Sequence, residues 1–489
     1  MVKVLIKKLD PLVKLPEYKT SGASGLDLMA FIKEPIEIKP KKIHIISIGG
    51  SIMHDLAINL KLNGNFITGS DDKIYDPARK NLRIHNILPE KLGYYKKNIK
   101  NNLDFVIIGM HTKNNNIELK EAKKLNIPIF SYPEYIKNLS TNKQRIIIAG
   151  SHGKTTITSI IMHVLKFCNK KFDYLVGAKV NGFKKNVKLS NSPIIIIEGD
   201  EYLTSPLDKK PKFLNYNHHI VLINGIEWDH FNVFNTFKIY LKQFENLVKI
   251  TPKGGEIIYN ENDENIKNIL ENHIDENINK ISYSELPFTN KYGKTLLIYE
   301  NKKIPIKIFG KHNMQNLAGA KKVLNQLGID NKLFYKAIKT FKLPQQRLEI
   351  LHNHSNKKIF KDFAHSPSKL KSTINAVKNQ YKKKLLSIYE LHSSSSLNKK
   401  FLPAYKNSIS ESDYSIIYIS SKILFERNLD KLLNSDIKKF FNLSNLIICR
   451  NPRDLLKNIS NNKFVDFNFL FMSSGNFDGF SIKKFIKKI

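Results

Sequence analysis

The 489-residue sequence predicts an α/β protein of about three domains, and three observations carry that reading. Short β-branched runs end repeatedly in glycine or polar turns, and segments with apolar residues at helical spacing follow them. Hydrophobic residues make up 41% of the chain against 25% charged, enough apolar material for real cores, which excludes disordered, collagen-like and coiled-coil classes. There is no internal repeat, and the one low-complexity run, Ser393 to Ser396, reads as a loop.

Taken in order, Lys42 to Gly50 is a β-rich run ending in a double glycine. Ser51 to Leu60 then carries Ile52, Met53, Leu56, Ala57 and Leu60 at helical spacing, and Asn63-Gly64 closes the helix before a strand at Phe66 to Thr68. Strands at Asp104 to Gly109 and Ile127 to Phe130 complete a module over 42–142. A second module, 143–342, opens with the strand Arg145 to Ala149, a glycine turn and a helix over Ile157 to Phe167, with buried strands at Pro193 to Ile197 and Ile220 to Ile223. A third, 343–489, begins near Leu343-Pro344 and has strands at Lys358 to Phe363, Lys384 to Tyr389, Ser415 to Ile419 and Phe469 to Met472.

The net charge of +37 raises nucleic acid as a partner, but only seven of the 80 basic residues are Arg, and Lys is spread along the whole chain. With the excess of Asn and Ile, this reads as drift in an AT-rich genome, so no nucleic-acid partner is expected. Cys168 and Cys449 make no ligand or disulfide pattern, and no segment has the apolar length of a signal peptide or a membrane span. A soluble cytoplasmic protein without a membrane partner is expected, with a monomer favoured.

Four constellations could carry chemistry. Gly150-Ser151-His152-Gly153-Lys154-Thr155-Thr156 lies between a strand and a helix. There, backbone N–H groups converge on phosphate oxygens, a Lys neutralises terminal phosphates and a Thr hydroxyl can join a Mg²⁺ shell, although the glycine spacing is shorter than in the standard phosphate loop. Glu198-Gly199-Asp200-Glu201 and Glu227-Trp228-Asp229-His230 both follow buried strands. Carboxylates so placed suit Mg²⁺, while a solvated loop, or a structural role for His230, is the plain alternative. Gly310 to Asn316 opens a helix with amide side chains that either read adenine or cap the helix. Finally, Gln345 to Glu349 holds Arg347, a rare Arg in a Lys-rich chain, ahead of Asp362 to Pro367.

The ordered motifs AGSHGKTT, EGDEY, NGIEWDH, GKHNMQN, QQRLE and DFAHSP resemble the Mur ligase family of peptidoglycan synthesis over residues 42 to 489. The resemblance implies a Rossmann-like N-terminal domain, a central P-loop ATPase domain and a Rossmann-like C-terminal domain. It also implies that ATP phosphorylates the lactyl carboxylate of UDP-N-acetylmuramate and that an amine then displaces the phosphate. EGDEYLTSPLDKKPKFLNY, Glu198 to Tyr216, is similar to the branch whose amine donor is the murein tripeptide L-alanyl-γ-D-glutamyl-meso-diaminopimelate. The branch that uses L-alanine is the alternative, and a basic nucleotide- or nucleic-acid-binding protein is the alternative of another class.

Carried over by motif, the phosphate turn binds ATP, with Lys154 on the terminal phosphates. Thr155 and Glu201 bind Mg²⁺, and His230 serves a second metal or the acyl phosphate. Asn316 meets adenine, and Arg347 and Asp362 reach the phosphates and ribose. Gly49, Gly50 and Ser51 meet the UDP diphosphate, with Ser70 and Asp71 near the uridine. Two departures stand out: Glu245 takes the place of a lysine that some members carbamylate, and Gly225 stands where relatives often have Asn. Residues 1–41, with KLPEYKTSGASGLDLMA and Asp27, resemble instead the first motif of trimeric dUTPases. The later dUTPase motifs are missing, so this segment is read as a non-functional fragment.

Overall fold

The computed structural model describes residues 10, 12–15 and 39–487, apart from 232, 274, 292, 355, 356, 428, 430, 431 and 444. The chain divides into Met1–Lys41 and Lys42–Ile489. The dUTPase-like run around Asp27 lies outside the described residues.

The first sheet of the larger unit contains β1 (Lys42–Ile46), β2 (Phe66–Ser70), β3 (Phe105–Ile108) and β4 (Ile129–Ser131), all parallel in the order β2-β1-β3-β4. Its central strands are nearly continuous apolar runs because helices cover both faces of a parallel sheet. The expected helix after β1 runs Ser51–Leu62 and ends at Asn63, with Gly64 at φ +91°.

The second sheet contains β5 (Gln144–Ala149), β6 (Asp173–Leu175), β7 (Val187–Lys188), β8 (Ile194–Glu198), β9 (Ile220–Ile223), β10 (Glu256–Asn260) and β11 (Asn279–Tyr283). The order is β11-β10-β9-β5-β8-β6-β7, with only β7 antiparallel. β5 sits between β8 and β9, and Ile148 pairs with Glu198 while Ala149 pairs with Ile223. This register brings the ends of three apolar strands together, and with them the three sequence motifs that follow. That is where ligands bind in open parallel sheets.

A small antiparallel sheet of β12 (Phe288–Lys291), β13 (Lys294–Tyr299) and β14 (Lys302–Ile306) was not expected from the sequence. Its second turn has Glu300 and Asn301 at φ +47° and +61°, the two left-handed positions that a tight hairpin needs, without the Asn-Gly pair that would announce it. The last sheet contains β15 (Glu349–Asn353), β16 (Lys358–Asp362), β17 (Leu385–Glu390), β18 (Tyr414–Tyr418), β19 (Leu446–Cys449) and β20 (Asn468–Met472), in the order β15-β16-β20-β17-β18-β19. β15 alone is antiparallel, against β16. The α/β expectation holds, and the expected strands occur with ends shifted by no more than two residues, except that the first ends at Ile46, four residues before Gly50.

Just before β9, His218 is 1% exposed and shares a hydrogen bond of 2.8 Å with Thr251 Oγ1. Burial, helped by the nearby His219 and Arg145, lowers its pKa from 6.5 to about 3. Below pH 6.5 the unfolded chain therefore binds a proton that the folded chain refuses, so this stabilisation is lost as pH falls from 6.5 towards 3. Between neutral pH and pH 5 the loss from His218 is expected to be about 1–2 kcal/mol. Thermal unfolding at both pH values checks it: His218→Gln should show a shallower pH dependence than the parent chain.

Candidate active site

β5 feeds directly into the turn Gly150–Gly153, and the helix Lys154–Phe167 starts from it. Gly150 and Gly153 have φ +119° and +73°, which aims the helix's first N–H groups into the space above the strand ends. A Cβ on Gly153 would lie 2.2 Å from Asn316 Oδ1 and 2.4 Å from Asn224 Nδ2. Those two amides support the turn from beneath. Asn224 Nδ2 donates to His152 O at 3.1 Å and to Asn316 Oδ1 at 3.0 Å, while Asn224 Oδ1 accepts from Tyr283 OH at 2.6 Å.

Above the turn lies a chain of alternating charge. Lys154 Nζ donates to Gly150 O at 2.7 Å and lies 2.6 Å from Glu201 Oε2. Glu201 Oε1 is 3.2 Å from His230 Nε2, and Asp200 pairs with Lys212. Burial alone would raise the Glu201 carboxyl, but Lys154 and His230 hold it well below the usual range. Burial would likewise lower Lys154 and His230, and the facing carboxylates instead hold both above their ordinary values. The site therefore keeps its ions charged. One ligand atom each from Asp200, Glu201 and His230 falls within 4.8 Å of the others, a set of two hard carboxylates and one imidazole that fits a small divalent cation.

From the last sheet, Arg347 Nη2 donates to Thr155 Oγ1 at 3.4 Å, and its guanidinium stacks over Phe363 with 4.7 Å to the ring centre. The neighbours Gln346 and Leu348 take φ +57° and +48°, a bent link that turns Arg347 inward. Lys154, Glu201, His230, Arg347 and Asp362 all line one cavity of about 640 Å³. Groups of this chemistry gathered in one cavity suit phosphoryl transfer better than a binding surface spread along the chain.

Four of the residues expected to meet ligands also hold protein partners. The Thr155 hydroxyl donates to Glu198 Oε1 at 2.7 Å, which spends its proton and leaves its oxygen lone pairs on the cavity side. Asn316 spends its oxygen on Asn224 and its Nδ2 on Asn313 Oδ1 at 3.2 Å, because it sits beneath the turn at 4% exposure. Asp362 accepts the backbone N–H groups of Leu348 and Ala364 at 2.6 and 2.7 Å, which anchors the bent link rather than presenting a free carboxylate. Ser70 turns its hydroxyl to the buried Glu118, which also accepts from Tyr95 N and Asn98 Nδ2. In the same sheet, Asp71 Oδ2 accepts from Gly49 N at 2.8 Å, Gly50 caps the helix start, and Ser51 Oγ accepts from Asn186 Nδ2 at 3.1 Å.

Several groups in the site went unassigned in the sequence reading. Glu198 and Asp200 belong to the carboxylate run already read as suited to Mg²⁺, and Asn224 stands inside the motif NGIEWDH, so strand-end position was a usable signal for it. Ser368 and Lys369 gave none. Ser368 Oγ meets His152 Nε2 at 2.8 Å, and Lys369 Nζ donates to Asp229 Oδ2 at 2.9 Å. The departures are accommodated: Glu245 pairs with Lys242 at 2.7 Å on an open helix face, and Gly225 offers its carbonyl to Ser151 N at 2.8 Å.

Residues 42–144 match the Mur ligase family catalytic domain, and residues 148–324 match the Mur ligase middle domain. The UDP-N-acetylmuramate–L-alanine ligase of Clostridium kluyveri is 30% identical over 387 residues, covering 76% of this chain and 82% of that protein. The chain belongs to the Mur ligase family. This Mur ligase is also 28% identical over 347 residues, 69% of it and 76% of the relative, to the UDP-N-acetylmuramate–L-alanyl-γ-D-glutamyl-meso-2,6-diaminoheptandioate ligase of Escherichia coli. In fold it is similar to the murein peptide ligase of Psychrobacter arcticus (TM-score 0.63, 21% identity, 91% of this chain and 98% of that one). The UDP-N-acetylmuramate–alanine ligase of Thermotoga maritima gives 0.68 at 20% identity with the same coverage. The Mur ligase is thus an ATP-dependent, carbon–nitrogen bond-forming enzyme of the peptidoglycan ligase family. No helix among its described residues is long and apolar enough to cross a membrane.

Proposed function

We propose that this Mur ligase joins the tripeptide L-alanyl-γ-D-glutamyl-meso-diaminopimelate to UDP-N-acetylmuramate in the cytoplasm, using ATP and Mg²⁺ and acting as a monomer, with 42–142, 143–342 and 343–489 as its three domains. The observation that carries the reading is the convergence of Lys154, Glu201, His230 and Arg347 on one cavity at the ends of β5, β8 and β9. The turn Gly150–Gly153 and the helix start cradle the ATP phosphates, and Lys154 and Arg347 draw charge off the transferred phosphoryl group as it passes to the lactyl carboxylate. The amine of the donor then attacks the acyl carbon, phosphate leaves, and the amine loses its proton. Glu201 and His230, with Asp200, would hold Mg²⁺, which supplies charge neutralisation between phosphate oxygens when bound. Asn316 and Asp362 act by shaping the turn and the link. Gly49, Gly50, Ser51 and Asp71 face the UDP-sugar.

The tripeptide assignment rests on the Glu198–Tyr216 segment. Its Tyr202 packs edge-on against His230 at 5.1 Å between ring centres, and its buried Lys212 pairs with Asp200. Free L-alanine is the competing donor, since relatives of both kinds match the chain. Phosphate release with UDP-N-acetylmuramate and ATP, the two donors supplied together and separately, tests this. The tripeptide should give at least about tenfold higher kcat/KM, and a preference for L-alanine overturns it.

A further inference from the structure

We infer that Lys369, at the start of the helix Pro367–Tyr381, is a positioning residue that sets the geometry of the charged groups over the phosphate turn. The inference rests on the ligase reading for its kinetic consequence, but its structural basis is independent of it.

Lys369 Nζ donates to Asp229 Oδ2 at 2.9 Å, and Asp229 Oδ1 accepts from the backbone N–H of His230 at 2.8 Å. His230 Nε2 lies 3.2 Å from Glu201 Oε1, Glu201 Oε2 lies 2.6 Å from Lys154 Nζ, and Lys154 Nζ donates to Gly150 O at 2.7 Å. Five successive contacts therefore run from the helix that follows β16 to the first glycine of the phosphate turn. Each end sits in a different sheet's territory, so the chain of contacts exists only when the two are docked.

His230 is the weak link in this chain. It holds φ +55°, a left-handed conformation that costs free energy in any residue but Gly, even though His adopts it more readily than most, and that its contacts must offset. Asp229 enforces it through the His230 N–H, and Asp229 has to be held in turn. Its carboxylate is 7% exposed and lies between Lys369 and His365, whose Nε2 is 3.9 Å away. The His365 ring uses Nδ1 on Phe363 O at 2.8 Å, and burial keeps it neutral, with its pKa lowered to about 3. That leaves Lys369 as the cation that pins Asp229 from outside its own segment. The next residue back, Ser368, meets His152 Nε2 at 2.8 Å, so the same helical turn grips the phosphate turn at a second point.

Without Lys369, Asp229 is free to swing toward solvent, His230 loses the support for its backbone conformation, and the imidazole shifts from Glu201. A displacement of that kind at a phosphoryl-transfer site is expected to lower kcat by ~10- to 100-fold while the KM for ATP stays within about threefold, because the turn itself is intact. Lys369→Met and Lys369→Arg test this in the full-length protein by steady-state phosphate release. Arg, which keeps the charge and a donor, should recover kcat to within about fivefold of the parent. A second measurement needs no substrate: amide hydrogen exchange at His230, Val233 and Phe234, where His230 N donates to Asp229 Oδ1 and Val233 N and Phe234 N both donate to His230 O, should speed up at least about fivefold in Lys369→Met and return towards parent rates in Lys369→Arg. Unchanged exchange in Lys369→Met overturns the inference whether or not any substrate is turned over. Inactivity of the parent chain with every donor, alongside altered exchange in the variant, would instead overturn the functional reading and leave the positioning role supported.

Discussion

Lys154→Ala should reduce ATP-dependent phosphate release by ~10²- to 10³-fold, because the substitution removes a preorganised cation from a site whose catalysis is mostly charge stabilisation. The same change strands Glu201, which is 1% exposed and held ionised chiefly by Lys154. A cost of about 3 kcal/mol in stability accompanies the loss of one partner of a buried pair, softened by His230 at 3.2 Å. Lys154→Arg separates the two effects. A guanidinium keeps the charge against Glu201 and most of the stability, but its planar fork cannot repeat the contact to Gly150 O at 2.7 Å, so activity should remain low. Phosphate release and thermal unfolding of both variants decide the matter, and near-normal turnover in Lys154→Ala would remove the phosphate role from this residue.

Gly153→Ala is the second large effect. Its Cβ would enter the space of two amides already committed to hydrogen bonds beneath the turn, at 2.2 and 2.4 Å, and the φ of +73° adds about 1–2 kcal/mol of backbone strain for any L side chain. Neither amide can move cheaply, since Asn224 is tied to Tyr283 and His152, and Asn316 to Asn313. The turn must therefore deform, and the KM for ATP should rise by at least about tenfold as the N–H groups lose their common aim. Phosphate release titrated against ATP measures it, and a parent-like KM would mean that the turn does not contact the phosphates.

The sequence made the fold class and the motif order legible because buried parallel strands read as uninterrupted Ile and Val runs, and glycines at their ends have few other uses. Ile194–Glu198 and Ile220–Ile223 were visible for that reason, whereas β6, β7 and the sheet β12 to β14 were not. They are short or alternating, and the β13–β14 turn uses Glu300 and Asn301 at left-handed positions where glycine would have been a signal. The helices that open with capping or amide residues, such as Lys311–Gln326, were legible in position but ambiguous in purpose.

What the sequence determined alone is thus which residue types can do chemistry and at which strand ends they stand: Lys154, Glu201, His230 and Arg347. Tertiary structure decided what each side chain spends its polar atoms on. Asn316, Asp362 and Ser70 all carry groups suited to ligands, and the packing gives them Asn224, the backbone of the Arg347 link and Glu118 as partners. A buried polar atom takes the partner within about 3 Å, and that partner is set by strand order and helix docking rather than by neighbours in the chain. For the same reason Lys369, a lysine among many in a chain of net charge +37, becomes distinctive only when its helix is laid against Asp229.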